Sequence, residues 1–305
     1  MTLDGAPTDF GSSYWGEVAC LLSALLWAIA VAWFHGAIER YGAWSVNLAK
    51  NVLATLLLAA TTLLVGQMAL IADAPIAALA SLAAAGIVGL TIGDTALFAA
   101  VSRLGVHRAL LLQTFGPVVA AGLAHLAFDE RLGPMQAVGS VLVLGGVALV
   151  VGRPADGSSA SWTVGGAVLG LVSAAGQGSG VVLAKSGLEA LPVLPGSLVR
   201  LTVASLGLAL VMVPGGRLRA AVQALADREA LRRIGGPTLI GTYLGFIVMM
   251  AGVAWAPASV AAVLIATPPI FSLFLDARFF GNPITARGLL GTAVAVSGVA
   301  FITAA

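Results

Sequence analysis

Charge is what this sequence has least of. Only 9% of its 305 residues are Asp, Glu, Lys or Arg, whereas a water-facing surface needs about a quarter, so most of the chain cannot face water. The net charge of +2 is too small for an electrostatic nucleic-acid surface, and the basic residues are scattered at the borders of apolar blocks; no nucleic-acid partner is expected. Cys20 is the single cysteine, which excludes an internal disulfide and the cysteine-rich spacings of zinc sites. Residues 1–14, "MTLDGAPTDFGSSY", contain Asp4 and Asp9 but no Lys or Arg, unlike the basic start of a secretory signal, and are expected as a retained flexible tail. HExxH, GxSxG, Walker and DDxxD-type sequences are missing. No cofactor and no metal site is expected. The 13 arginines against 2 lysines hint at a GC-rich bacterial genome.

What is present is apolar: 59% hydrophobic residues and a mean hydropathy of +1.03, arranged in long blocks without a 3.6-residue or alternating period, as for helices apolar all round. A bilayer core of roughly 30 Å needs about 20 helical residues to cross it. That rule divides the chain into ten spans, at 15–36, 43–66, 76–101, 106–127, 133–152, 162–183, 196–214, 232–254, 257–279 and 283–303. The expected fold class is therefore all-α, a polytopic membrane protein. Short connectors such as "FDERLG" and "FGNP" make successive spans antiparallel neighbours. The stretch from 214 to 233 reads either as an amphipathic interfacial helix or as a solvated loop. With ten spans, 11 arginines fall on the side of the odd-numbered connectors and only Arg131 and Lys185 on the other, which by the positive-inside rule places both termini outside the cytoplasm.

The chain also matches itself. An offset of 152 pairs Gly89 with Gly241, Pro117 with Pro269, Gly139 with Gly291 and Gly146 with Gly298; an offset of 150 pairs "LLSA" (21–24) with "LVSA" (171–174) and Lys50 with Arg200. Two five-span repeats, 15–152 and 153–305, follow. Because five is odd, the second enters the membrane from the opposite face, an inverted repeat of the kind that builds transporters.

Corresponding interrupted helices mark the substrate site in such proteins. "QTFGPV" and "ATPPIF" place Pro117 and Pro269 near span centres, where each proline frees a carbonyl. Gln113, Thr114 and Thr267 flank them, and the repeat-related Trp27 and Gln177 join them as candidate substrate-binding residues. Each proline also reads as a plain kink, and Trp27 as a lipid-facing anchor. Asp94, inside "GLTIGDTALF", lies about 10 Å deep at 1.5 Å per residue, level with Lys50. A facing ammonium is the natural partner for a buried carboxylate, so a Lys50–Asp94 contact is expected, with Asn47 and Asn51 near it. It reads as a gate or proton-coupling site, or as a static pair that fixes helix register. Arg200 is expected near the outer face, beside Glu17 or the Asp129/Glu130 pair, as a second gating group. His125 and Asp276 fall near span ends. The nearest approach to catalysis is "TIGD", similar to the GxGD of membrane aspartyl proteases, but Thr91 replaces the first glycine and Asp276 lies too near the end of its span to face Asp94.

Together "LLSALLWA", "FGPVVAAGLAHLAFDERLGPMQAVGSVLVLGGVALV" and its looser copy "TPPIFSLFLDARFFGNPITARGLLGTAVAVSGVAFI" resemble the drug/metabolite transporter superfamily, in its ten-span form with two EamA repeats. The family's "gErl" turn corresponds to Glu130 and Arg131; Asn282 replaces the acid in the second copy. The resemblance implies a ten-helix basket with a central cavity that moves small organic solutes such as amino acids, often outward, in a bacterial inner membrane. Expected partners are a small-molecule substrate, membrane lipid and a coupling proton. A non-transporting membrane assembly protein is the alternative, and it predicts an interior filled by side chains.

Overall fold

The computed structural model describes residues 14–104, 109, 112–151, 163–214, 216–279 and 284–303. The tail, the turn containing Arg108, the link between repeats with Arg153, and the "FGNP" connector with Asn282 lie outside the described residues, as does the Asp276 side chain.

Among the described residues the regular structure is all helical. The first half contains α1 (Trp15–Tyr41), α2 (Ala43–Leu64), the short α3 (Ala69–Ala72), α4 (Ile76–Ala85), a π-helical segment (Gly86–Gly93), α5 (Asp94–Leu104), α6 (Gly116–Phe128) and α7 (Pro134–Val151). The second contains α8 (Val164–Leu188), α9 (Val193–Met212), α10 (Arg217–Ala226), α11 (Arg228–Pro237), a second π-helical segment (Thr238–Leu244), α12 (Gly245–Trp255), α13 (Ala258–Ile265), α14 (Pro268–Phe279) and α15 (Ala286–Thr303). Among the described residues seven helices are long and apolar enough to cross a membrane, and three shorter apolar helices cover Gly116–Phe128, Pro134–Val150 and Ala286–Ile302.

Element boundaries repeat with the offsets found in the sequence. Ala43 and Val193, both helix starts, differ by 150; Ile76 and Arg228, Gly86 and Thr238, and Pro134 and Ala286 differ by 152. Both halves thus widen the same turn into a π helix, a rare feature that clusters at functional sites.

Contacts between equivalent helices show that they run in opposite senses. A Cβ on Gly139 would meet the Gly298 carbonyl at 2.6 Å, and one on Gly146 would meet the Gly291 carbonyl at 2.4 Å. Since Gly139 is equivalent to Gly291 and Gly146 to Gly298, each glycine touches the mate of the other, the signature of a two-fold axis between antiparallel helices. The absent side chains let α7 and α15 approach to backbone contact, as small residues do in lipid. On the same axis Thr55 of α2 and Ser205 of α9, equivalents at an offset of 150, share a 3.3 Å hydrogen bond.

Other large interfaces also cross between halves. α1 packs along the second π segment and α12, and α8 along α4, the first π segment and α5. Segment 217–226 forms the amphipathic helix: Leu218 and Ala221 of α10 pack onto Leu48, Leu208 and Met212, and Arg217 lies over the Trp44 ring at 5.3 Å. Helix α11 then begins at Arg228, four residues before the expected span, with the Asp227 side chain capping it through the Glu229 N–H.

Candidate functional site

Glycine decides where the polar groups meet. A Cβ on Gly176 would lie 2.7 Å from the Val88 carbonyl, and one on Gly180 would lie 2.9 Å from Gly89 Cα. Helix α8 therefore seats directly on the first π segment, and the side chains between these glycines reach its backbone. Gln177, half-buried at the centre of α8, donates from Nε2 to the Gly89 carbonyl at 3.2 Å and to Asp94 Oδ1 at 2.8 Å. One turn earlier, Ser173 donates to the Gly93 carbonyl at 2.7 Å and accepts from Gln113 Nε2 at 2.6 Å. The sequence reading missed Ser173, although it stands inside the repeated "LVSA". These donors occupy the carbonyls of a wide turn that its own backbone satisfies less well.

Asp94 is the first residue after that π segment. Ten further helical residues, to Leu104, are described after it. No ion pair within 4.0 Å joins it to Lys50 among the described residues, so the expected direct contact is not made. Lys50 donates to Asn51 Oδ1 at 2.9 Å and lies 5.2 Å from the centre of the Trp27 ring. A cation over an indole face is attracted by the ring's quadrupole.

Arg200 departs furthest from expectation. It is 2% exposed, not near an outer acid, and lies 5.5 Å from the Phe246 ring, with Nη1 on Met250 Sδ at 3.3 Å and Nε without a partner. Phe246 is the repeat equivalent of Asp94. Each half thus sets its span-two cation on an aromatic ring, Trp27 in one and Phe246 in the other, while the acid exists only once.

The two interruptions also match. Residues 114–115 break the helical run before α6, and 266–267 separate α13 from α14. Pro117 lies in the first turn of α6 and Pro269 in that of α14, where the missing N–H costs nothing; the prolines start half-helices rather than kink whole ones. Thr267 Oγ1 donates to the Leu264 carbonyl at 2.7 Å, the group that Pro268 cannot serve four residues on. Pro117 and Thr267 are buried, whereas Gln113, Thr114 and Pro269 are half-buried. Trp27 is 37% exposed although it stands at the middle of α1.

Away from the centre, Glu130 accepts from Ala258 N at 2.9 Å, Ser259 N at 3.2 Å and Ser259 Oγ at 3.1 Å, and lies 3.8 Å from Lys185 Nζ, which donates to the Ala256 carbonyl. The acid expected beside Arg200 instead caps α13 of the other half. His125 stands 4.0 Å from Asp129 at the surface. A separate apolar groove, lined by Leu123, Leu126, Ala127, Ser179, Val182 and Leu183, lies between α6 and α8.

Comparison with known proteins agrees with this arrangement. A solved crystal structure superposes with a TM-score of 0.73 over 95% of this chain and 96% of the other at 19% identity, a likeness of fold. A probable terminal-alkyne amino-acid exporter of Streptantibioticus cattleyicolor is 38% identical over 109 residues, a match covering 36% of this chain and 35% of that protein's length. The profile of the EamA-like transporter family matches residues 14–152 and 164–304, one match for each half. The chain belongs to the EamA-like transporter family.

Proposed function

We propose that the protein is a secondary active exporter of small amphipathic metabolites, amino acids or related solutes, working by alternating access. Ten spans, the seven long helices and the three shorter ones with their flanking residues, cross a bacterial inner membrane with both termini outside; the asymmetry of 11 basic residues to 2 supports that orientation.

The observation that supports the reading most is the polar cluster of Asp94, Gln177 and Lys50, each half-buried, where two antiparallel halves meet. Polar groups left accessible within a span need water or a polar guest within the bundle. Trp27, Gln113, Thr114, Pro117, Gln177, Thr267 and Pro269 would line the solute path. Lys50, Asp94 and Arg200 would gate or couple it, with a proton on Asp94 as the coupling ion. The amino-acid part of the reading leans on the exporter relative, which it matches over about a third of its length.

Proteoliposomes offered a mixed metabolite pool and analysed by mass spectrometry test the proposal. Gradient-driven accumulation of a few small solutes is expected. Equal retention of every solute by loaded and protein-free vesicles would remove the proposal in favour of an assembly role.

A further inference from the structure

The half-repeats share their cations but not their acid. Lys50 and Arg200 are equivalents at an offset of 150, while Asp94 is matched by Phe246 at 152. The end states of an inverted-repeat transporter exchange the roles of its halves. Two symmetric cations with one acid therefore cannot both be neutralised in the same way at the same time.

Arg200 carries the sharper problem. It is 2% exposed, with no carboxylate within 4.0 Å among the described residues and an unpartnered Nε. A methionine sulfur and a phenylalanine ring are poor substitutes for a carboxylate, and an uncompensated buried charge is costly. An acid lies close to it all the same. A Cβ on Gly89 would sit 3.4 Å from Arg200 Nη2, and the Gly89 carbonyl shares the Gln177 amide with Asp94. The guanidinium and the amide that binds the carboxylate thus meet at one residue that has no side chain to separate them.

The π segment supplies a way across. It ends at Gly93, immediately before Asp94. Returning one wide turn to α geometry removes one residue from that turn and swings Asp94 about the helix axis by roughly 100°.

Building on the transporter reading above, we propose that Asp94 is an exchangeable counter-charge, paired with Lys50 in one end state and with Arg200 in the other. Gln177 holds it between them in the conformation described here. Arg200 is then a positioning residue that acts through Asp94.

The test compares Lys50→Met with Arg200→Met by hydrogen-exchange mass spectrometry of the whole protein in lipid nanodiscs. Each variant leaves the acid a single cation, so the two should bias the conformational equilibrium in opposite directions. The face whose helix ends lose protection in one variant should gain it in the other, by about tenfold. Lys50→Arg and Arg200→Lys should restore the wild-type pattern, which a merely structural role would not require. Arg200→Gln serves if Arg200→Met does not assemble. Shifts of the same sign, or none, while wild-type vesicles still move solute would overturn the exchange alone. Wild-type vesicles that move nothing would overturn the transporter reading and the exchange with it.

Discussion

The two halves share a skeleton and differ in chemistry. Helix starts, π segments and proline breaks recur at offsets of 150 and 152, yet the matching interfaces are not alike. Where α8 meets the first π segment, Gly176 and Gly180 allow backbone contact and Gln177 binds Gly89 and Asp94. Where α1 meets the second, the equivalents are Leu26, Ala30 and Trp27 against Gly241 and Phe246, and Trp27 packs on Gly241 without a polar contact to it. Symmetry sets where helices cross, since that depends on small residues at fixed positions. The acid has no such counterpart, since Phe246 stands at its equivalent position.

Removing the acid gives the largest effect. Asp94→Asn should abolish gradient-driven accumulation while leaving solute exchange, read as net uptake against counterflow in vesicles; driven uptake equal to wild type would detach Asp94 from coupling. Next comes the axis that holds the halves together. Gly146→Val places carbon where the Gly291 carbonyl lies at 2.4 Å and should destabilise the fold by about 1–3 kcal/mol or more, whereas Gly145→Val, with nothing within 4 Å of its Cβ position, should be tolerated; thermal unfolding in detergent compares them. Glu130→Gln weakens the contact with the start of α13, and should cost about 1.5–3 kcal/mol by the same measurement. Asn282 stands at its equivalent position in the sequence. The smallest effect is that of Thr55→Val, which removes one hydroxyl on the axis for about 0.6 kcal/mol.

At a helix end outside the spans the acid is titrated by its neighbours. The Glu229 N–H, and then the Tyr41 hydroxyl, hold the Asp227 carboxyl below its usual value. Its contribution is present above the unfolded-state pKa and is lost as the pH falls through the lower folded value. Asp227→Asn should flatten that segment of the acid-unfolding curve.

Much of this was legible in the sequence, and the limits have physical reasons. The repeat offset, the proline breaks and the small-residue stripes depend on local chain chemistry, and they reappear as matched boundaries, half-helix starts and glycine crossings. Depth follows from counting residues, and Lys50 stands seven residues after Ala43, the start of its helix, as counted. Azimuth is harder. Lys50 and Asp94 turn to Asn51 and Gln177, because Gly89 and Gly93 in a π turn re-aim the chain in a way that composition does not announce. Arg200 read as a partner of outer acids because it is the repeat equivalent of Lys50, and only tertiary packing sets it on Phe246 and Met250 instead. Glu130 and Lys185 read as a turn and a topology charge, and only tertiary packing makes them one contact.

Opposed threading of the halves is tested most directly by electron-spin distances in a Cys20→Ala background. Met135 near the start of α7 is spin-labelled with either Phe301 near the end of α15 or Leu289 near its start, all at exposed positions. Antiparallel equivalents predict that the Met135–Phe301 pair is nearer along the helix axis by about 18 Å, twelve residues at 1.5 Å each. A shorter Met135–Leu289 distance would mean that both halves face the same way, and would contradict the account.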